Sequence, residues 1–209
     1  MTALAAGLAA QKLVVLGGFH LTPKDNLPGQ TLLLIGPGAG FWPYFTKSPE
    51  WADGADNPID RWSSRILGGI AAAHGGAALF PFGGPPYHPF YQWALRSGQA
   101  WASPVALLVH ATQGLFVSYR GALLLPEALP LPAPAAPPCD TCAKPCLAAC
   151  PAAALTKKGY DVPRCHDHLN TPQGRDCMER GCAVRRACPV GAELRSTAKS
   201  AYHMQRFHT

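Results

Sequence analysis

The chain has 209 residues, 48% of them hydrophobic and 14% charged, with a formal net charge of +6. That is enough apolar material to bury a core, and it excludes a disordered chain, while 21 Gly and 22 Pro promise many turns. No run approaches the ~18 to 20 apolar residues that cross a bilayer, and MTALAAGLAAQKLVVLGG lacks the basic lead of a secretory signal. The expectation is a mature cytoplasmic protein without a membrane span.

Residues 1–12 are Ala/Leu-rich and read as a short helix. Leu13–Leu21 and Thr31–Gly38 are apolar runs of β type, each ended by turn residues. GPGAGFWP (36–43) is glycine-rich but has neither a Walker lysine nor the G-x-G-x-x-G register, so it reads as a turn. Asn57-Pro58 opens a helix through Ile59, Trp62, Ile66, Leu67 and Ile70, closed by His74-Gly75-Gly76, with Asp60, Arg61 and Arg65 on its polar face. The prolines of Pro81–Phe90 exclude regular structure, and Phe90–Gly98 reads as a short helix ended by glycine. Pro104–Leu125 reads as two strands meeting in a hairpin at Ala111-Thr112-Gln113-Gly114. Pro126–Pro138 has six prolines in thirteen residues, which predicts an extended, semi-rigid connector. The expected organisation is therefore an α/β (α+β) domain over 1–125, a linker over 126–138 and a second domain over 139–209.

All eight cysteines lie in that last segment, which carries eleven Lys/Arg against six Asp/Glu. The first group is Cys139-x2-Cys142-x3-Cys146-x3-Cys150-Pro151 and the second Cys165-x11-Cys177-x4-Cys182-x5-Cys188-Pro189. In a reducing compartment such a concentration favours metal ligation over disulfides. Two four-cysteine runs ending in Cys-Pro are the layout of a two-cluster bacterial ferredoxin segment, although both runs are longer than C-x2-C-x2-C-x3-C-P. In that layout the fourth cysteine of each run ligates the other run's cluster. The crossed assignment puts Cys139, Cys142, Cys146 and Cys188 on one [4Fe-4S] cluster, and Cys165, Cys177, Cys182 and Cys150 on the second. The proline after each fourth cysteine suits the first turn of a helix. A pair of zinc sites is the alternative, since four thiolates suit that ion too. Two oxidised cubanes would move the formal charge from +6 to about +2, with Arg164, Arg180, Arg185 and Arg186 as local compensation. That accounts for the basic excess without nucleic acid, and no aromatic-interleaved basic stripe accompanies it.

Leu107–Gly191 resembles the C-terminal half of the cobalamin-dependent epoxyqueuosine reductases and their reductive-dehalogenase relatives. The residues carrying the likeness are LLVHATQGLFVSYRGALLL before the first run, and PRCHDHLNTPQGRDCMERGCAVRRACPVG with its early Cys165. The resemblance implies a nitroreductase-like N-terminal domain holding a corrinoid against a two-cluster ferredoxin-like module, fed by a ferredoxin, flavodoxin or flavoprotein reductase. The short upstream region is also similar to the nitroreductase-like fold of cobalamin-processing proteins. The chain departs from epoxyqueuosine reductases in PFGGPPYHPFYQWALRSG, which offers Tyr87, His88 and Tyr91 where that family has a catalytic Asp.

His88, beside Tyr87 in a Pro/Gly-rich loop, is the candidate proton donor or cobalt-facing residue, with an exposed loop histidine as the plainer reading. His110, Tyr119 and Arg120 are the candidate corrinoid contacts, the Arg being suited to bidentate anion binding. His166 and His168 follow a proposed ligand closely enough to hydrogen-bond near a cluster, or they simply face solvent. Three functions fit these residues: electron transfer through two clusters to a corrinoid, a ferredoxin-type carrier or maturation partner, and a tRNA-modifying reductase.

Overall fold

The computed structural model describes residues 2–156 and 159–208. In chain order its elements are α1 (Thr2–Ala10), β1 (Leu13–His20), β2 (Thr31–Pro37), α2 (Phe41–Phe45), α3 (Pro49–Ala52), α4 (Pro58–Ala73), β3 (Ala77–Leu79), α5 (Phe90–Arg96), β4 (Ala100–Ala102), β5 (Leu108–His110), β6 (Gly121–Leu125), β7 (Leu155–Thr156), β8 (Gly159–Tyr160), α6 (Val162–Leu169), α7 (Arg175–Arg180), α8 (Ala183–Ala187) and α9 (Thr197–His208). The chain is a mixed α and β protein of two compact units, one from Met1–Gln99 with Ser118–Ala135, the other from Ala100–Val117 with Ala136–Thr209. Among the described residues no helix is long and apolar enough to cross a membrane.

The first unit is built on a four-stranded antiparallel sheet in the order β1-β2-β6-β3. Every residue of β2 and β6 is buried, as expected of continuous apolar strands covered on both faces. The register of β1 slips between Val15 and Gly18. Gly17 lies there with φ +136°, and a Cβ on it would stand 2.6 Å from Ser97 Oγ, so the C-terminal cap of α5 approaches closely only because this residue is glycine. Along α4, Ile59, Trp62, Ser63, Leu67 and Ala71 are buried at helical spacing, and this face packs on β6 and β3. Trp62 meets Phe41 edge-on at 5.3 Å, and Phe45 meets Trp51 at 5.5 Å. Such pairs add about 0.5–1.5 kcal/mol each beyond their buried area. The polar face of α4 is tied down by ion pairs of Arg61 with Asp53 and of Arg65 with Glu50.

The expected hairpin over 104–125 does not form. Its turn does: the backbones of His110 and Gly114 exchange two hydrogen bonds of 3.0 Å. Beyond the turn the strands separate, β5 pairing with β4 and β6 pairing with β2 and β3. The fully buried GALLL of β6 needs a partner on each edge, and a single hairpin mate could satisfy only one. Residues 100–117 accordingly belong to the cysteine-bearing unit, which therefore starts earlier than the boundary drawn at 126–138.

The proline-rich segment lacks regular structure, as its composition predicts, yet it is no loose spacer. Thr31 Oγ donates to Glu127 O at 2.7 Å and accepts from Leu129 N–H at 3.0 Å. Gln99 Nε2 donates to Ala133 O, and Ala135 N–H donates to Gly98 O. Residues 126–135 are thus strapped along the first unit.

In the second unit the β4–β5 hairpin, α8 and Leu155 of β7 meet around a core of Val105, Val109, Leu115 and Val184, to which Cys146 and Cys188 also belong. Helices of five to eight residues such as α6, α7 and α8 are not stable alone, so packing must hold them.

Candidate metal centres

The first cysteine run begins where the proline-rich segment ends. Compared with the usual ferredoxin spacing it has one extra residue between Cys142 and Cys146. Lys144 absorbs it by taking a left-handed conformation (φ 55°, ψ 48°), after which Pro145 opens a 3-10 turn, Pro145–Ala148, that carries Cys146. The same kink aims the Lys144 N–H at Cys142 Sγ, 3.3 Å away. Cys188 arrives from the far end of α8. Cys139, Cys142, Cys146 and Cys188 line one small cavity, walled otherwise by Val109, Leu115, Pro145 and Val190, with Ser103 also lining it.

The second set is brought together by four different segments. Cys165 sits on α6, whose cap Asp161 accepts from Arg164 N–H at 3.0 Å. The long gap to Cys177 is taken up by the end of α6 and a 3-10 turn, Pro172–Gly174, before α7 presents Cys177. Cys182 starts α8 and Cys150 follows the first 3-10 turn. Cys150, Cys165, Cys177 and Cys182 line a second small cavity with Leu155, Tyr160, His168, Val184 and Met204.

The grouping is crossed. Each run contributes three cysteines to one cavity and its last cysteine to the other, and α8 carries Cys182 to the second cavity at one end and Cys188 to the first at the other. Fully buried Val184, on the same helix, lines the second cavity. The expectation that each Cys-Pro opens a helix is corrected: Cys150-Pro151 follows a 3-10 turn and Cys188-Pro189 follows α8. The prolines stop these elements because they cannot continue them.

All eight cysteines are free thiols. Burial pushes the Cys139 thiol up, and its neighbours Cys146, Cys142 and Cys188 add repulsion. Burial likewise raises Cys146, Cys165 and Cys177, and Cys165 is raised further by Cys182, Cys150 and Cys177. Opposing donors are already in place. The Cys146 and Leu147 amides favour the thiolate of Cys146, the Ala183 amide that of Cys177, and the Tyr160 hydroxyl that of Cys165. Ala154 N–H lies 3.3 Å from Cys150 Sγ. Cys146, Cys165 and Cys177, raised by burial yet each facing a fixed N–H or O–H donor, suit a cationic centre that takes up thiolate charge.

The fit of that donor set can be tested on the polar atoms left over. Ser103 Oγ and His168 Nε2 are buried without a hydrogen-bond partner, and one lines each cavity. Buried polar groups are normally satisfied, so both fit a sulfur-rich anionic group as the acceptor. Among the described residues no three His, Cys, Asp or Glu side chains converge as they would around one ion.

The remaining candidates are placed as follows. His88 stacks on Trp93 at 5.5 Å, and Tyr87 is 65% exposed. His110 is buried, and its Nδ1 accepts from the Thr112 and Gln113 amides at 3.1 and 3.3 Å, which closes the turn after β5. Tyr119 belongs to the other unit, where burial raises its pKa and its hydroxyl has no hydrogen-bond partner. Arg120 pairs with Asp60 at 3.4 Å. The three residues expected to meet a corrinoid from one hairpin are therefore divided between units. His166 packs edge-on against Phe207 at 4.7 Å, and only His168 reaches a cavity. Arg186 pairs with Asp176 and its charge also favours the Cys177 thiolate, whereas Arg185 donates to Leu115 O. Sequence reasoning missed Ser103 and Tyr160, which line the two cavities. Tyr160 lies close ahead of Cys165, but nothing in the spacing marks Ser103.

Compared with known proteins, the chain matches no family model, and no curated protein or solved structure matches it significantly.

Proposed function

We propose that this protein transfers electrons through two [4Fe-4S] clusters, one held by Cys139, Cys142, Cys146 and Cys188, the other by Cys150, Cys165, Cys177 and Cys182. The observation that carries the reading is the crossed pair of four-cysteine cavities, each with a buried donor lacking any protein acceptor. Such clusters take up and release single electrons when bound. The residues around them fix the ligands and keep out water: Val109, Leu115 and Val190 wall the first cavity, and Leu155, Val184 and Met204 the second. The amides of Lys144, Leu147, Ala154 and Ala183 stabilise thiolate charge at fixed positions.

The finer fold descriptions, nitroreductase-like for the first unit and ferredoxin-like for the second, belong to this reading, as does the corrinoid acceptor that the resemblance implies. Anaerobic reconstitution with iron and sulfide tests its centre. The expected product is brown, absorbs broadly near ~400 nm and carries about eight irons per chain. A colourless protein with about two zinc ions per chain overturns it. Adding cob(II)alamin to the reconstituted chain then distinguishes a corrinoid-linked reductase, which perturbs the cobalt spectrum, from a carrier, which leaves it unchanged.

A further inference from the structure

We propose that Ser103 is a hydrogen-bond donor to sulfur at the first centre and sets that centre's reduction potential apart from the second. The inference rests on the two-cluster reading and adds to it a residue outside the cysteine motifs. Ser103 is 8% exposed, its Oγ is buried without a partner, and it lines the cavity of Cys139, Cys142, Cys146 and Cys188. Apart from the cysteines, the other side chains lining that cavity are apolar except for Lys144, which can only donate, so none of them offers an acceptor. Its backbone is fixed, since Ser103 N–H donates to Leu107 O at 2.8 Å and Ser103 O accepts from Ala106 N–H at 3.0 Å. Only the hydroxyl is free to turn.

A buried hydroxyl without an acceptor is costly, and anionic sulfur is the acceptor this cavity supplies. Adding one electron to the centre increases the negative charge on its sulfurs, so an O–H donor stabilises the reduced form more than the oxidised form. The potential of the first centre rises accordingly. The second cavity has an imidazole, His168, at the corresponding role, so the two centres are tuned by different donors.

The test is a redox titration of the reconstituted full chain, followed by electron paramagnetic resonance, with mediators and an added one-electron reductant. Ser103→Ala is expected to shift one of the two midpoints downward by about tenfold in the equilibrium constant, 59 mV for one electron, and to leave the other in place. Ser103→Thr, which keeps the hydroxyl, restores it. Repeating the comparison in a Cys177→Ala background, which retains the first quartet, assigns the shifted signal. If Ser103→Ala takes up too little iron, Ser103→Cys keeps the volume with a weaker donor and is expected to shift the same midpoint in the same direction. Unmoved potentials, or equal movement of both, overturn the inference while leaving two clusters in place. A wild-type chain that takes up no iron overturns the underlying reading instead.

Discussion

A methyl group on Gly114 would stand 2.9 Å from Cys188 Sγ and 2.4 Å from the Val190 carbonyl oxygen. The turn closing β5 is therefore the surface against which the last cysteine rests, and it works because Gly114 has no side chain and takes φ +57°.

Gly114→Ala is expected to displace Cys188 and spare the second quartet. The positive φ alone costs an alanine about 1 kcal/mol, and a backbone oxygen at 2.4 Å cannot rotate away as a side chain could. Iron in the reconstituted variant should fall from about eight to about four per chain. Full loading with unchanged spectra would show that this contact does not position Cys188.

The crossed grouping makes a prediction about pairs of substitutions. Cys139 and Cys188 line one cavity although they belong to different runs, whereas Cys139 and Cys150 share a run but line different cavities. Cys139→Ser with Cys188→Ser should leave one centre, about four irons, and Cys139→Ser with Cys150→Ser should leave almost none. Metal analysis of the two double variants decides it, and the reverse order would mean that each run serves its own centre.

The local elements were legible because their signals are local. Pro58 and the spacing of Ile59, Trp62 and Leu67 define α4, and the apolar runs at 13 and 31 define β1 and β2. What the chain could not reveal is which strands pair. The β5 turn and the β6 strand were both legible, but their separation depends on β2 and β3 flanking GALLL, a tertiary demand without local trace. The same holds at the candidate site. Cysteine spacing indicated the crossed quartets, while Ser103, an ordinary serine before a proline, gains its place only when the β4–β5 hairpin brings it to the cavity.

Thr31 ties the proline-rich strap to β2. Its buried hydroxyl both donates to Glu127 O and accepts from Leu129 N–H, and valine of the same shape can do neither. Thr31→Val should destabilise the first unit by about 1–3 kcal/mol by leaving two backbone groups unpaired. Limited proteolysis should cut faster within 126–135, and unchanged cleavage would show that the strap is held elsewhere.

Glu50 gives a pH dependence whose sign can be worked out. Glu50 is 8% exposed, and the Arg65 guanidinium hydrogen-bonded to its carboxylate holds its pKa below the ordinary value against the opposing effect of burial. A carboxyl with a depressed folded-state pKa contributes its full stabilisation above the unfolded value of about 4.3 and loses it as pH falls through the folded value. Arg65→Met keeps an apolar stem but removes the partner, so the opposing effect of burial is no longer offset by the guanidinium and the Glu50 charge becomes less favourable at neutral pH. Because Arg65 itself is half exposed, the expected loss is modest, about 1–2 kcal/mol at pH ~7. Denaturant unfolding should show that loss shrinking as the solution is acidified and Glu50 takes up a proton. Glu50→Gln combined with Arg65→Met should recover part of it at neutral pH. A deficit that stays constant with pH and persists in the double variant would assign the effect to lost packing of the Arg65 stem.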